Sequence, residues 1–182
     1  MTIHFKNLDI PLLQYVESDF MGLPVRGEDM ALIIETGLPK NCPPNGLRFK
    51  IPASMGGTGF SRLSDEWPKF KEVVAAQQCI VIATDSNGNC LFINSTDAGK
   101  HQVSFYDHDY GVFRFVAGSV QSCLTCLSLY LEFLKLYPEN GTEPATKDNY
   151  QLLANQISEV EPLARVNAET FWSEMVFYGR LP

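Results

Sequence analysis

The stretch from Cys79 to Tyr137 constrains this chain more than any other part of it. Cys79-Ile-Val-Ile-Ala-Thr84 and Cys90-Leu-Phe-Ile-Asn-Ser95 are rich in β-branched and aromatic residues, and Asp85-Ser86-Asn87-Gly88-Asn89 separates them. Runs of that composition read as strands, because branched and aromatic side chains pack well on a pleated surface. Asn-Gly between them signals a hairpin, since both central residues of a type I′ turn need positive φ. A Gly-containing loop, Thr96 to Lys100, leads into a third run, His101-Gln-Val-Ser-Phe-Tyr106. The pattern predicts three consecutive antiparallel strands over Ile80 to Tyr106, turning at Asn87-Gly88. Asp107-His108-Asp109 closes the third run, and a long helix is expected to follow it.

That helix is predicted over Val120 to Tyr137. Val120, Cys123, Leu124, Leu127, Leu131 and Leu134 make one continuous apolar stripe at helical spacing, with Gln121, Thr125, Ser128, Glu132 and Lys135 on the other side. Ser119 is placed to cap its N-terminus, and Pro138 with Asn140-Gly141 ends it.

The flanks read as shorter pieces. Residues 28–36 suit a helix, with acids in the first turn and Gly37 as the stop before Pro39. Asn41 to Gly46 is a Pro-rich loop, Leu47 to Ile51 a short strand, and Met55 to Phe60 a flexible Gly-rich loop. Phe70 to Gln78 is expected to be extended or mixed. The tail offers a short helix at Tyr150–Ile157 and a last one from Ala168 to Tyr178, with Asn167 as its cap. The sum is an α+β fold: one domain over residues 1–182, mainly an antiparallel sheet flanked by helices, with 148–182 as a helical extension packed on it. A chain of 182 residues can bury a substantial core without disulfides or metals.

Charge narrows the partner classes. Residues 1–78 carry eight Lys/Arg against nine Asp/Glu, and residues 79–182 carry six against twelve, which gives the net −7. An acidic half argues against direct nucleic-acid binding, which needs cations to neutralise phosphates, and suits a basic protein partner. No apolar run is long enough to span a bilayer and no basic, then apolar, leader stands at the N-terminus, which points to a cytoplasmic protein with no membrane partner. The five cysteines lie mostly in apolar contexts, as reduced, buried thiols do. Cys42, in its Pro-rich loop, is expected to be the most reactive.

The motifs that could carry chemistry each have a plainer reading. Cys123-Leu-Thr-Cys126 is formally a C-x-x-C, but Cys123 sits on the apolar stripe a turn inside the helix. A redox pair wants its first thiol exposed at a helix N-terminus, and no second pair completes a zinc site. Gly56-Gly57-Thr58-Gly59 lacks the Lys-Ser/Thr of a phosphate cradle. Ser119 lacks the flanking glycines of a nucleophile elbow and reads as a cap. Asp107-His108-Asp109 is the most interesting polar cluster: in a turn the three side chains converge on a proton or metal, whereas along a strand neighbours point to opposite faces. The preferred reading is a turn in which Asp bonds its own backbone. No catalytic residue, cofactor site or metal site is expected.

Taken in order, these marks resemble the SUKH superfamily, and within it the fourth group, bacterial immunity proteins. They are Gly37-Leu38-Pro39 after a short helix; the strand Ile80-Val81-Ile82-Ala83 entering Asp-Ser-Asn-Gly-Asn; Leu91-Phe92-Ile93; and Val103 to Tyr106 ending in Asp107-His108. Phe115-Val116-Ala117-Gly118-Ser119 then opens the long helix, and Asn167 to Met175, with Phe171-Trp172 inside, resembles the closing helix. Relatives usually have an Ile-Gly step after the first strand, where this chain has Ala83-Thr84. The resemblance implies a non-catalytic antidote that binds a co-encoded polymorphic toxin, a basic nuclease or nucleic-acid deaminase domain. Other branches of the superfamily imply the alternative, a regulatory protein-interaction module without a toxin. Candidate partner contacts, chosen because hairpin tips and strand ends carry them, are Asp85, Asn87, Asp97, Asp107, His108 and Asp109.

Overall fold

Prolines and glycines break the first third of the chain into short pieces. The computed structural model describes residues 5–42, 46–96, 101–138, 145–165 and 170–177. In chain order the first elements are β1 (Leu12–Leu13), α1 (Gly27–Thr36), β2 (Leu38–Pro39), β3 (Asn41–Cys42), β4 (Leu47–Phe49) and β5 (Ser61–Arg62). Glu28 and Asp29 lie in the first turn of α1, and the Gly37 N–H closes its end by donating to Ile33 O at 2.9 Å. The segment expected to be a flexible loop is tied down. Gly57 and Gly59 donate to Pro52 O and Ile51 O, both at 3.0 Å, and a Cβ on Gly57 would meet Ile51 O at 2.1 Å. Residues 63–77 carry two single helical turns, α2 (Leu63–Glu66) and α3 (Val74–Gln77), with a 3-10 turn at Pro68–Phe70 between them; α3 falls within Phe70 to Gln78, where extended or mixed structure was expected.

The centre of the chain is a meander of four strands, not three: β6 (Cys79–Thr84), β7 (Cys90–Asn94), β8 (Gln102–Asp107) and β9 (Val112–Ala117). Residues expected to lead directly into the long helix instead make β9, which returns along β8 in the register Asp107↔Val112 to Val103↔Ala117. The sheet order is β3-β4-β6-β7-β8-β9, with β5 also on β6 and every pairing antiparallel. The first turn also differs from the expected type I′. Only Gly88 of the Asn-Gly pair has positive φ, 89°; its N–H donates to Asp85 O at 3.2 Å, and the Asp85 N–H donates to Asn89 O at 3.0 Å. The five-residue loop is a type I turn followed by a left-handed glycine. Asp85 sets it, because its Oδ1 accepts the Asn87 and Asn89 N–H groups, both at 2.9 Å.

Cross-strand partners share a face of a sheet, which sorts the two sides. Ile80, Leu91, Ile93, Val103 and Phe105 face α4 (Val120–Leu136) and its buried Val120, Cys123, Leu124 and Leu127. Ser119 caps α4 by accepting the Ser122 N–H at 3.0 Å. Thr125 and Ser128, expected on a polar side, are buried, because α5 (Lys147–Val160) covers the far side of α4 with Leu153, Ala154 and Ile157. A helix between two layers is buried nearly all round. The opposite sheet face carries Cys79, Val81, Cys90, Phe92 and Tyr106, roofed by Leu63, Ala76, Trp67 and Phe70.

The tail shares the main core. In α6 (Phe171–Phe177), Phe171, Trp172, Met175 and Val176 are buried, and the Trp172 indole N–H donates to Val116 O at 2.8 Å. Glu161 Oε2 accepts the Gly118 N–H at 2.7 Å. Thr170 serves the first turn of α6 by accepting the Ser173 N–H; Asn167, the expected cap, lies outside the described residues. All five thiols are free and buried. Cys42, expected to be the most reactive thiol in its Pro-rich loop, is fully buried in β3, where burial pushes its thiol up to about 12. Among the described residues no helix is long and apolar enough to cross a membrane.

Candidate protein-binding surface

Antiparallel connectivity brings the β6–β7 and β8–β9 turns to the same end of the sheet, since Cys90 pairs with Tyr106 and Asp107 with Val112. Buried Asn89 stitches the two tips together. Its Nδ2 donates to Asp85 Oδ2 at 2.9 Å, which leaves Oδ1 for the other turn. There it accepts the His108 backbone N–H at 2.9 Å and lies 2.7 Å from His108 Nδ1. The carboxylate fixes the direction of the amide, and the amide oxygen in turn requires the proton on Nδ1. Nε2 then faces Asp109 Oδ1 at 3.2 Å. The imidazole lies on the Trp67 indole, centroids 4.7 Å apart and planes 29° apart, and the indole N–H points at Cys90 Sγ at 3.3 Å.

The aspartates of the Asp-His-Asp cluster do different things. Asp107 is buried at the end of β8; it accepts the Tyr110 N–H at 3.3 Å and pairs with Arg114 Nη2 at 3.0 Å. Asp109 is on the outside, its side chain 58% exposed. The turn bonds its own backbone, as the sequence suggested. Of the proposed contacts, Asp85, Asn87, His108 and Asp109 gather at one end; Asn87 and Asp109 are exposed, Asp85 and His108 are half-buried, and Asp107 faces inward. Asp97 lies outside the described residues.

Sequence reasoning missed five members of this end. Asn89 offered a signal, as the last residue of the turn it organises. Trp67 and Arg114 did not, because their contacts come from a distant segment and from a strand that was not anticipated. Tyr110, 78% exposed, and Phe113, 56% exposed, are aromatic side chains left in solvent. Phe113 nevertheless touches the rings of Phe70, Phe92 and Tyr106 at 5.8, 5.9 and 4.8 Å.

The cations near this end differ: Arg114 is drawn inward, whereas Lys69 and Arg48, whose strand partner Thr84 precedes Asp85, are exposed. Arg114 is held by Asp107, and Lys69 Nζ lies over the Tyr106 ring at 4.9 Å and the Phe70 ring at 5.3 Å. Among the described residues His108 bonds no serine, threonine or cysteine, so no nucleophile–base pair forms there. The arrangement is a rigid end with exposed carboxylate, amide and aromatic groups, chemistry suited to recognising cations and amides. No family model matches the chain, and no curated protein or solved structure does either.

Proposed function

We propose that this protein is an immunity protein: it binds a co-encoded toxin with a basic nuclease or deaminase domain and blocks it by occupying the surface that would meet nucleic acid. One observation carries the reading. The tips of the two hairpins are cross-tied through Asn89 and present Asn87 and Asp109 to solvent, while the neighbouring Arg114 is bound inward to Asp107. Enzymes acting on nucleic acids carry positive surfaces for phosphate, and an acidic partner is steered to them at long range. Pre-tied loops lose little conformational freedom on binding, which favours affinity. The resemblance to the SUKH superfamily supports the same reading, and the protein acts in it without a catalytic residue or cofactor.

The test uses the product of the neighbouring reading frame as bait, with its toxic activity as readout. Asn87→Lys with Asp109→Lys alters two exposed side chains. Asp85 and Asp107 are unsuitable, because one organises a turn and the other holds a buried arginine. The double variant should associate more slowly at low salt, on the order of tenfold, with the difference fading as salt rises. Association as fast as wild type at low salt would show that the tips do not steer.

A further inference from the structure

Strand β9 ends the sheet, pairing only with β8 among the described residues. Its second half is sealed: Val116 and Ala117 are buried, the Trp172 indole donates to Val116 O, and Glu161 takes the Gly118 N–H. Its first half is open, with Val112 40% and Phe113 56% exposed and Tyr110 just before them 78% exposed. An uncovered edge strand offers a row of N–H and C=O groups to an incoming strand. Proteins usually guard such an edge with an outward charge. Here the one charged residue of the open half, Arg114, turns to Asp107 and keeps only 12% of its side chain exposed.

We infer that the open half of β9 receives an extended segment of the basic partner as an added strand. Main-chain bonds form along Val112–Phe115, an apolar side chain packs over Phe113, and an arginine or lysine beyond Val112 meets Tyr110 and Asp109. The register supports this division. Phe113 and Phe115 pair with Tyr106 and Ser104, so both stand on the face of the small aromatic cluster, which an added strand would extend. The charge beside the open end is Asp109, whose Oδ1 faces the His108 imidazole. A carboxylate next to an exposed phenol ring suits a guanidinium or ammonium group, through an ion pair and a cation–π contact. A strand bearing carboxylates at that end would meet repulsion.

This inference rests on the toxin-binding reading above, and its test separates the two. The probes are a short synthetic peptide of alternating valine and serine ending in an arginine pair, and its twin ending in a glutamate pair. The arginine peptide should shift the backbone amide resonances of residues 110–115 and slow their hydrogen exchange, and the glutamate twin should not. Phe113→Ser, at an exposed side chain, should weaken the arginine peptide about fivefold or more. Val112→Lys, which restores a guarding charge, should do the same if the first variant perturbs the fold. Asp109→Asn should erase the preference between the twins. Equal binding of both twins, shifts confined to other elements, or self-association of the wild-type chain through β9 would each overturn the inference. Neutralisation of the neighbouring gene product that survives both edge substitutions would also overturn it, yet leave the immunity reading standing. Peptide binding at β9 without any capture of that product would do the reverse.

Discussion

At the scale of single residues, Asp19 is the clearest case of a charge made useful by its surroundings. Buried Asp19 accepts the Ser54 N–H at 2.9 Å, the Ser54 hydroxyl at 2.8 Å and the Val16 N–H at 2.9 Å, pinning the 17–20 turn to the 53–55 turn. Burial raises its pKa, and these hydrogen bonds outweigh burial and bring it below the ordinary 3.8. A depressed folded-state value means the stabilisation is complete above 3.8 and is lost as pH falls through the lower folded value. Asp19→Ala should therefore cost about 1–3 kcal/mol near neutral pH, by denaturant titration. The gap from wild type should narrow below pH 3.8. The thiols give a second expectation. Burial pushes Cys79 up to about 11 and Cys126 up to about 12, and Cys123 also well up. A bulky maleimide should leave the native protein unlabelled over minutes and modify all five cysteines in denaturant. Rapid native labelling of Cys42 would show that β3 opens. The loop reading of Cys42 failed because two flanking prolines say nothing about which way a short edge strand points.

At the scale of elements, what could be read depended on whether a segment's burial pattern is periodic. The stripe on α4 and the paired runs of β6 and β7 were legible, because each buries a regular set of positions. Strand β9 was not. Among the described residues it pairs on one side only, its first half is exposed, and the register shift opposite Val103 and Ser104 leaves Val116 as an extra residue on β9 and sets Val116 and Ala117 both into the core. Two consecutive buried residues ending in Gly118-Ser119 looked like the run-up to a helix. The candidate site was legible to the same degree. Asp85, Asn87, His108 and Asp109 could be named because turns advertise themselves, whereas Arg114, Phe113 and Trp67 depend on β9 and on the packing of residues 63–77. The seal at the end of β9 has measurable weight. Trp172→Phe keeps most of the packing but leaves the Val116 carbonyl unpaired, and should cost about 1–3 kcal/mol. Ser119→Ala, which removes the α4 cap, should cost about 1 kcal/mol. Equal stability of Trp172→Phe and wild type in denaturant titration would mean the carbonyl finds another donor.

At the scale of the whole molecule, the sheet has one face fully roofed by α4, α5 and α6 and the other roofed only by residues 63–77. The large layer supplies the core, and the small layer meets solvent at the same end as the two turns. The chain's two tryptophans divide between these layers. Trp172 is 1% exposed and hydrogen-bonded inside the main core; Trp67 is half-buried and stacked on His108 beside the tips. The molecule thus carries two intrinsic fluorophores in separate surroundings. With Trp67→Phe, the remaining emission should stay blue-shifted until global unfolding and ignore an added partner. With Trp172→Phe, the remaining emission should change in intensity when the hairpin tips are occupied, long before the chain unfolds. An unlabelled sample in a fluorimeter could then report, at two positions, whether the protein is folded and whether it is bound.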